Sequence, residues 1–393
     1  MVPTAAVMLA AAALGMTHSD APVVLSIAGS DSGGGAGIQA DLKTCEALGA
    51  FGTTAIVALT AQNTKGVQAA EAMSTELVTQ QIDSVLGDMG AHAIKTGMLP
   101  TTEIIDAVAT ALDKHGASIR VIDPVFVAAS GDVLVGPEAL AALKSRLVPT
   151  ATVLTPNMPE AGTLLGRAAP ATVDEMRVAA GDLLDLGAQS VLLKGGRLAA
   201  GEMIDVYADR DAKGGVRLVE LKYDRVETTN THGAGCTLAA AVAAELAKQR
   251  HASTGDLDVL AAVRAARAYL GSVFGVSAKL RIGEGGRGPL NHAHAAWAPA
   301  VGKGTAADGA LSNGASKGPL SQQMWTSPNV VALAEASLTN GFVKALAAAT
   351  LPKSNFASYV AQVRSPTSRR ISPHLHMAIR SPNPIVCAPH GPF

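Results

Sequence analysis

Apolar positions along the chain fall into two alternating patterns. Short runs rich in Val, Ile, Leu, Ala and Thr, at residues 23–28, 54–59, 119–123, 152–155 and 190–194, have the length and composition of buried strands. Between them lie longer stretches with apolar residues three and four apart. Ile38, Leu42, Cys45 and Leu48 set this spacing in the first of them, residues 38–48. Further helices are expected at 101–114, 137–146 and 172–186, and a final pair at 236–249 and 256–274. Residues 203–208 and 216–223 alternate around Gly214 and Gly215, which predicts a hairpin at a sheet edge. Strands alternating with helices predict an α/β fold, a mostly parallel sheet flanked by helices.

The pattern stops after Trp297. Residues 298–320 are dominated by Ala, Gly, Ser, Lys and Pro, the composition of a flexible linker. A second helical pattern follows at 321–362, too short for an independent core. Residues 363–393 carry six Pro, four Arg and no Asp, Glu or Lys, and are read as a disordered tail. Residues 7–15 are apolar, yet no basic residue precedes them, so 1–21 is read as a poorly defined start rather than a targeting signal.

Composition narrows the function. With 48% hydrophobic and 16% charged residues, the 393-residue chain is globular. Its formal charge of -1 leaves no basic footprint for nucleic acid. No spanning helix is expected, so neither nucleic acid nor membrane is a predicted partner. The three cysteines, Cys45, Cys236 and Cys387, lack CxxC spacing and indicate neither a disulfide scaffold nor a zinc site. A reducing compartment fits them.

Two glycine-rich turns carry the chemistry. The first, residues 28–41, follows the first strand and holds five glycines between Gly29 and Gly37. Such a turn lets a ligand approach the backbone, but its glycines fit neither G-x-G-x-x-G nor a P-loop. The second, Asn230-Thr231-His232-Gly233-Ala234-Gly235-Cys236-Thr237, opens an Ala-rich helix. Backbone N–H groups there, with the helix dipole, form an anion hole for a phosphoryl group. Cys236 lies at that helix N-terminus, where a thiol pKa is expected to fall, and it reads equally as a proton acceptor or as a small cysteine packed under the turn. His232 is read as a structural hydrogen-bonder. Asp123-Pro124-Val125, Thr155-Pro156-Asn157 with Glu160, and Lys194-Gly195-Gly196 each follow a predicted strand, where open α/β sheets bind ligands. Asp123 and Glu160 are candidates for holding Mg²⁺, and Lys194 for contacting phosphates.

Together with Gly37-Ile38-Gln39-Ala40-Asp41, Ala61-Gln62-Asn63-Thr64-Lys65-Gly66-Val67-Gln68 and Lys95-Thr96-Gly97-Met98-Leu99, these motifs resemble the hydroxymethylpyrimidine/phosphomethylpyrimidine kinases, over residues 22–297. The resemblance implies a ribokinase-like three-layer sandwich that uses ATP and Mg²⁺. It implies phosphorylation of 4-amino-5-hydroxymethyl-2-methylpyrimidine and then of its monophosphate, in thiamine biosynthesis. Carried over, Asp41 contacts the hydroxymethyl group and Gln62 the ring edge, with Gly29, Met98 and Val125 lining the pocket. Cys236 stands where the wider group usually has an Asp base, and the backbone of Gly233, Ala234, Gly235 and Cys236 makes the anion hole. Asp123, Asn157 and Glu160 organise Mg-ATP, with Lys194 and Thr229 near its phosphates. Ala234 departs from the family's usual Thr, and Thr229 from a frequent Lys.

Residues 325–362, with Gly341-Phe342-Val343, Thr350-Leu351-Pro352, Phe356, Tyr359 and Gln362, resemble the beginning of thiaminase II. Val363 follows where that family has a pyrimidine-binding Asp, so a truncated fragment without hydrolase activity is expected. A pyridoxal kinase and a non-catalytic pyrimidine-binding protein are the alternative functions. The resemblance also suggests a homodimer, and the N-terminus gives no clear address, so the cytoplasm is the default expectation with the plastid as alternative.

Overall fold

Parallel strands covered by helices on both faces read as unbroken apolar runs. The computed structural model describes residues 20–126, 135–196, 198 and 203–294. In it the run at residues 23–28 begins β1 (Val23–Asp31). Leu25 and Ile27 enter one core layer and Val24 the other. The remaining strands are β2 (Phe51–Asn63), β3 (Gly66–Ala72), β4 (Ala93–Thr96), β5 (Arg120–Ile122), β6 (Val153–Leu154), β7 (Ser190–Leu193), β8 (Met203–Arg210) and β9 (Val216–Tyr223). They form one sheet in the order β3-β2-β1-β4-β5-β6-β7-β8-β9. From β2 to β7 the neighbours run parallel, while β3 at one edge and β8 and β9 at the other are antiparallel. The expected hairpin is therefore present as β8 and β9. Chain progression reverses at β1, which lies between β2 and β4, and such a switch point opens a crevice at the carboxyl ends of the strands.

Three helices, α1 (Gly37–Ala47), α7 (Ala234–Ala252) and α8 (Val259–Ser277), cover the face to which Val24 points. On the opposite face lie α2 (Thr75–Asp88), α3 (Thr102–Lys114), α4 (Pro137–Ala142), α5 (Met158–Leu165) and α6 (Val173–Leu184). Side-chain oxygens satisfy the orphan N–H groups at several starts. Ser74 caps α2, Thr101 caps α3, and Thr172 with Glu175 forms a capping box on α6. The three-layer α/β expectation thus holds for the described residues.

Four elements escaped the periodicity argument: β3, β4, α2 and α5. β4 is four residues long and contains a lysine, and α5 is eight residues with Pro159 and Gly162 inside it. β3 is largely exposed, and α2 buries only Val78 and Ile82. The helix expected at 137–146 ends instead at Ala142, and the chain continues through a wider π turn (Leu143–Leu147) and a 3-10 turn (Val148–Thr150). α8 is long and apolar enough to span a membrane, with a mean hydropathy of 1.4, but it packs Val263, Ala266, Leu270 and Val273 into the core beside α7. The linker, the thiaminase II-like segment and the tail, residues 298–393, lie outside the described residues, as does most of the expected N-terminal segment.

Candidate active site

A cavity of about 990 Å³ opens at the carboxyl ends of the parallel strands. Its wall includes every residue proposed from the sequence except one: Gly29, Gln62, Met98, Asp123, Val125, Asn157, Glu160, Lys194, Thr229, Gly233, Ala234, Gly235 and Cys236. Asp41 is the exception. It lies on α1, fully buried outside that wall, where its Oδ2 accepts from Ser26 Oγ at 2.5 Å and from Lys95 Nζ at 2.8 Å. Its Oδ1 is buried with no hydrogen-bond partner among the described residues. Burial pushes the Asp41 carboxyl up, opposed by Lys95 and Ser26. Burial would lower Lys95, but Asp41, with Cys236 and Asp123 adding to it, outweighs burial and holds the ammonium above its ordinary value.

The two glycine-rich turns meet at the sheet's switch point. Gly37, at φ 56°, begins α1 so close to β1 that a Cβ there would lie 2.3 Å from Gly29 O. Gly233, at φ 81°, begins α7, and a Cβ there would lie 1.8 Å from Gly35 O. The turns are tied by Asp31, whose Oδ2 accepts from Gly35 N and Ala36 N and lies 2.9 Å from His232 Nε2. Burial would raise the Asp31 carboxyl, yet His232 and the backbone N–H groups outweigh it and hold it below the ordinary range. His232 thus joins the loops, as its structural reading required. Gln62 Nε2 lies 3.4 Å from the same imidazole nitrogen.

At the start of α7, Ala234 N donates to Thr231 O at 3.2 Å, while Gly235 and Cys236, which line the cavity with Ala234, carry N–H groups that a first helical turn leaves without a partner of its own. This is an anion-binding geometry. The expectation of a depressed thiol does not survive. Burial, with the Asp41 and Asp123 carboxylates adding to it, pushes Cys236 up to about 11 against the opposing pull of Lys95 and of a hydrogen bond from the Gly37 backbone. The helix N-terminus is present, but the thiol's loss of water outweighs it.

Asp123 Oδ1 accepts from Lys194 Nζ at 2.8 Å and Thr155 Oγ1 at 2.9 Å. Lys194 Nζ also stands 4.0 Å from Glu160 Oε2, so an ammonium lies between the two carboxylates proposed for Mg²⁺. These carboxylates outweigh burial and hold Lys194 above its ordinary value. Glu160 Oε2 accepts from Asn157 N at 2.7 Å while Asn157 Oδ1 accepts from Glu160 N, a capping box that fixes both at the start of α5. Asp123 Oδ2 is buried without a hydrogen-bond partner among the described residues and lies 3.7 Å from where a Gly235 Cβ would be. That orphaned acceptor beside the anion hole fits a hydrated Mg²⁺, which takes one or two carboxylates and keeps its waters.

Sequence reasoning missed three features in or beneath the cavity. Lys95 entered only as part of the motif Lys95–Leu99, and its fully buried pairing with Asp41 was not anticipated. Arg267 stacks over the Tyr223 ring at 3.2 Å and pairs with Asp205 at 3.2 Å. Arg287 reaches the wall from a distant loop.

Comparisons with known proteins bear on the family and the fold. Residues 31–291 match the family model described as phosphomethylpyrimidine kinase. Over 275 residues the chain is 48% identical to a hydroxymethylpyrimidine/phosphomethylpyrimidine kinase of Rhizobium meliloti, covering 70% of this chain and 98% of that one. It is 44% identical over 272 residues to a chloroplastic thiamine biosynthetic bifunctional enzyme of Arabidopsis thaliana, covering 69% of this chain but 50% of that relative. Among solved structures, the ADP complex of Bacillus subtilis pyridoxal kinase superposes with a TM-score of 0.61 at 36% identity, covering 70% of this chain and 99% of that one. The family match ends at residue 291, ahead of the thiaminase II-like segment.

Proposed function

The chain belongs to the phosphomethylpyrimidine kinase family, and on that premise we propose that it transfers the ATP γ-phosphoryl group to the hydroxymethyl oxygen of the pyrimidine and then to the resulting monophosphate. The observation that carries this reading is the meeting of the two glycine-rich turns. Gly235 and Cys236, in the first turn of α7, line the same cavity as Gln62, Met98 and Val125. An amide offers donor and acceptor together to an aminopyrimidine edge, and the apolar side chains flank the ring.

In phosphoryl transfer the protein mainly positions the reactants and stabilises charge, through a loose transition state. The backbone from Gly233 to Cys236 takes most of that load, aimed at the oxygens of the group in flight. Asp123 would hold Mg²⁺ through Oδ2, with Glu160 and Asn157 supporting it, and the ion would neutralise charge on the nucleotide phosphates. Lys194, oriented by Asp123, contributes a fixed cation on the nucleotide side, near Thr229. Asp41, withdrawn beneath the cavity, reaches the hydroxymethyl group only if its pairing with Lys95 loosens; in the described arrangement it fixes Lys95 below the anion hole.

The two acceptors place different demands on Cys236. A hydroxyl loses its proton during the reaction, whereas a phosphomonoester, with a second pKa of ~6, is already anionic at neutral pH. Cys236, acting through its thiolate, is the acceptor for the first proton and is dispensable for the second step. Because a thiol held near 11 is mostly protonated at pH 7, the first step should accelerate as pH rises through the neutral range.

Purified full-length protein incubated with Mg-ATP and hydroxymethylpyrimidine, its monophosphate or pyridoxal tests this directly. Both pyrimidine products are expected, with Cys236→Ala losing about 100-fold or more of the first rate and much less of the second. Pyridoxal as the only acceptor would move the chain to the activity of its structural neighbour. No turnover of any acceptor would leave a binding protein.

A further inference from the structure

An enzyme that phosphorylates an alcohol and then its phosphate in one cavity must accept a neutral acceptor and one carrying about -1.5 to -2 charges. With the ring held in the same place, the second acceptor brings that charge next to the γ-phosphoryl group, and a cation on the acceptor side is needed to offset the repulsion. We propose that Arg287 is that cation: it binds the acceptor's own phosphate and sets the efficiency of the second phosphorylation relative to the first. The proposal rests on the two-step reading above.

Most basic side chains of the wall are already engaged. Lys194 is bonded to Asp123, His232 to Asp31, and Arg267 to Asp205. Arg225 and Arg287 remain, each with no hydrogen bond or ion pair among the described residues, and both line the cavity. Their surroundings differ. Arg225 follows β9 in the segment leading to Thr229, and the carboxylates of Asp224 and Glu227 line the same stretch of wall. Arg287 lies in the segment after α8, which is pinned at two points on the acceptor side.

The first pin is the turn after β2, two residues beyond Gln62. Gly285 N donates to Thr64 Oγ1 at 3.1 Å, and Glu284 pairs with Lys65 at 3.2 Å. The second pin is the entry to the anion hole, where His232 N donates to Gly288 O at 3.1 Å. Glycine is required at both, since a Cβ would fall 1.8 Å from Thr64 O at Gly285 and 1.8 Å from Asn230 Oδ1 at Gly288. Arg287 is therefore carried by a strap fixed between the residue that reads the ring and the loop that opens the anion hole. The extra phosphate of a monophosphate acceptor belongs in that interval. The backbone is fixed and the side chain is exposed, so the guanidinium can turn to a phosphate and bind it through two N–H groups.

Steady-state rates with hydroxymethylpyrimidine and with its monophosphate, and the KM for ATP in each reaction, should be measured for wild type, Arg287→Ala, Arg287→Lys and Arg225→Ala. For Arg287→Ala the ratio of kcat/KM for the monophosphate to kcat/KM for the alcohol should fall at least tenfold, carried by KM for the monophosphate. Arg287→Lys should recover part of it, because lysine keeps the charge and loses the fork. Equal losses in both reactions, a rise in the KM for ATP alone, or a changed ratio in Arg225→Ala rather than Arg287→Ala would overturn the assignment. Wild type that makes both products with an unchanged ratio in Arg287→Ala overturns this proposal alone. Wild type that phosphorylates neither acceptor overturns the two-step reading and this proposal with it.

Discussion

Replacing Lys95 by methionine would strand the Asp41 carboxylate, fully buried, with Ser26 as its remaining hydrogen-bond donor. Removing one partner of a buried ion pair costs about 3–5 kcal/mol, whereas replacing both partners is often close to neutral. Lys95→Met should therefore lower the urea-unfolding free energy by about that much, and Lys95→Met with Asp41→Leu should recover most of it. Equal stability of the single variant and wild type would remove the buried pair from the account. At this scale the sequence was uneven. Gln62, inside β2, came only from the family resemblance, whereas Asp123, Lys194 and Cys236 were legible as candidates because each follows a strand or opens a helix. The protonation of Cys236 was not, because a thiol's pKa depends on how much water the neighbouring helices leave it. Asp41 was placed by its motif at the substrate, but its carboxylate is turned toward a lysine 54 positions later in the chain.

Helix starts do most of the positioning in this cavity, and they depend on backbone conformations that only certain residues adopt. Gly233 has φ 81° and no room for a Cβ beside Gly35 O. A Gly233→Ala enzyme must either move the glycine-rich turn or shift the start of α7, so kcat should fall by about 100-fold, the scale of losing one anion-hole donor. Gly214 has the same φ in the hairpin between β8 and β9, and a Cβ there would meet nothing within 4 Å. Gly214→Ala should cost about 1–2 kcal/mol of stability from the left-handed backbone and leave kcat at the wild-type value. Parallel assays and thermal melts of the two variants separate a shared backbone strain from a lost anion site. Element types were readable where one face alternates or a long apolar run is buried. β4 and α5 were not, being too short to establish a period.

Across the whole molecule, two buried histidines couple folding to acidity. Burial, with His251 and Arg250 nearby, pushes His92 down to about 4, and its Nδ1 accepts from Val23 N at 3.0 Å, which protonation there would break. Burial, with Lys43 nearby, likewise pushes His292 down to about 4, where its Nε2 meets Thr237 Oγ1 at 2.9 Å. Because both fall below the ordinary value of 6.5, the unfolded chain binds more protons as the medium acidifies. Their contribution is full above about pH 6.5 and is lost as pH falls toward 4. The thermal midpoint should decline through that window, and His92→Gln with His292→Gln should flatten the decline; an equal slope in both proteins would dismiss these groups. The sequence by itself determined the alternation of strands and helices, the mostly parallel α/β class and the two glycine-rich turns, because these follow from local periodicity and from the freedom of glycine. Only the tertiary structure decided which charges meet: Lys95 with Asp41, Lys194 between Asp123 and Glu160, Arg267 with Asp205, and Arg287 at the cavity with no ion pair among the described residues. Electrostatic partners depend on distance and on the exclusion of water, and both are set by packing between segments far apart in the chain.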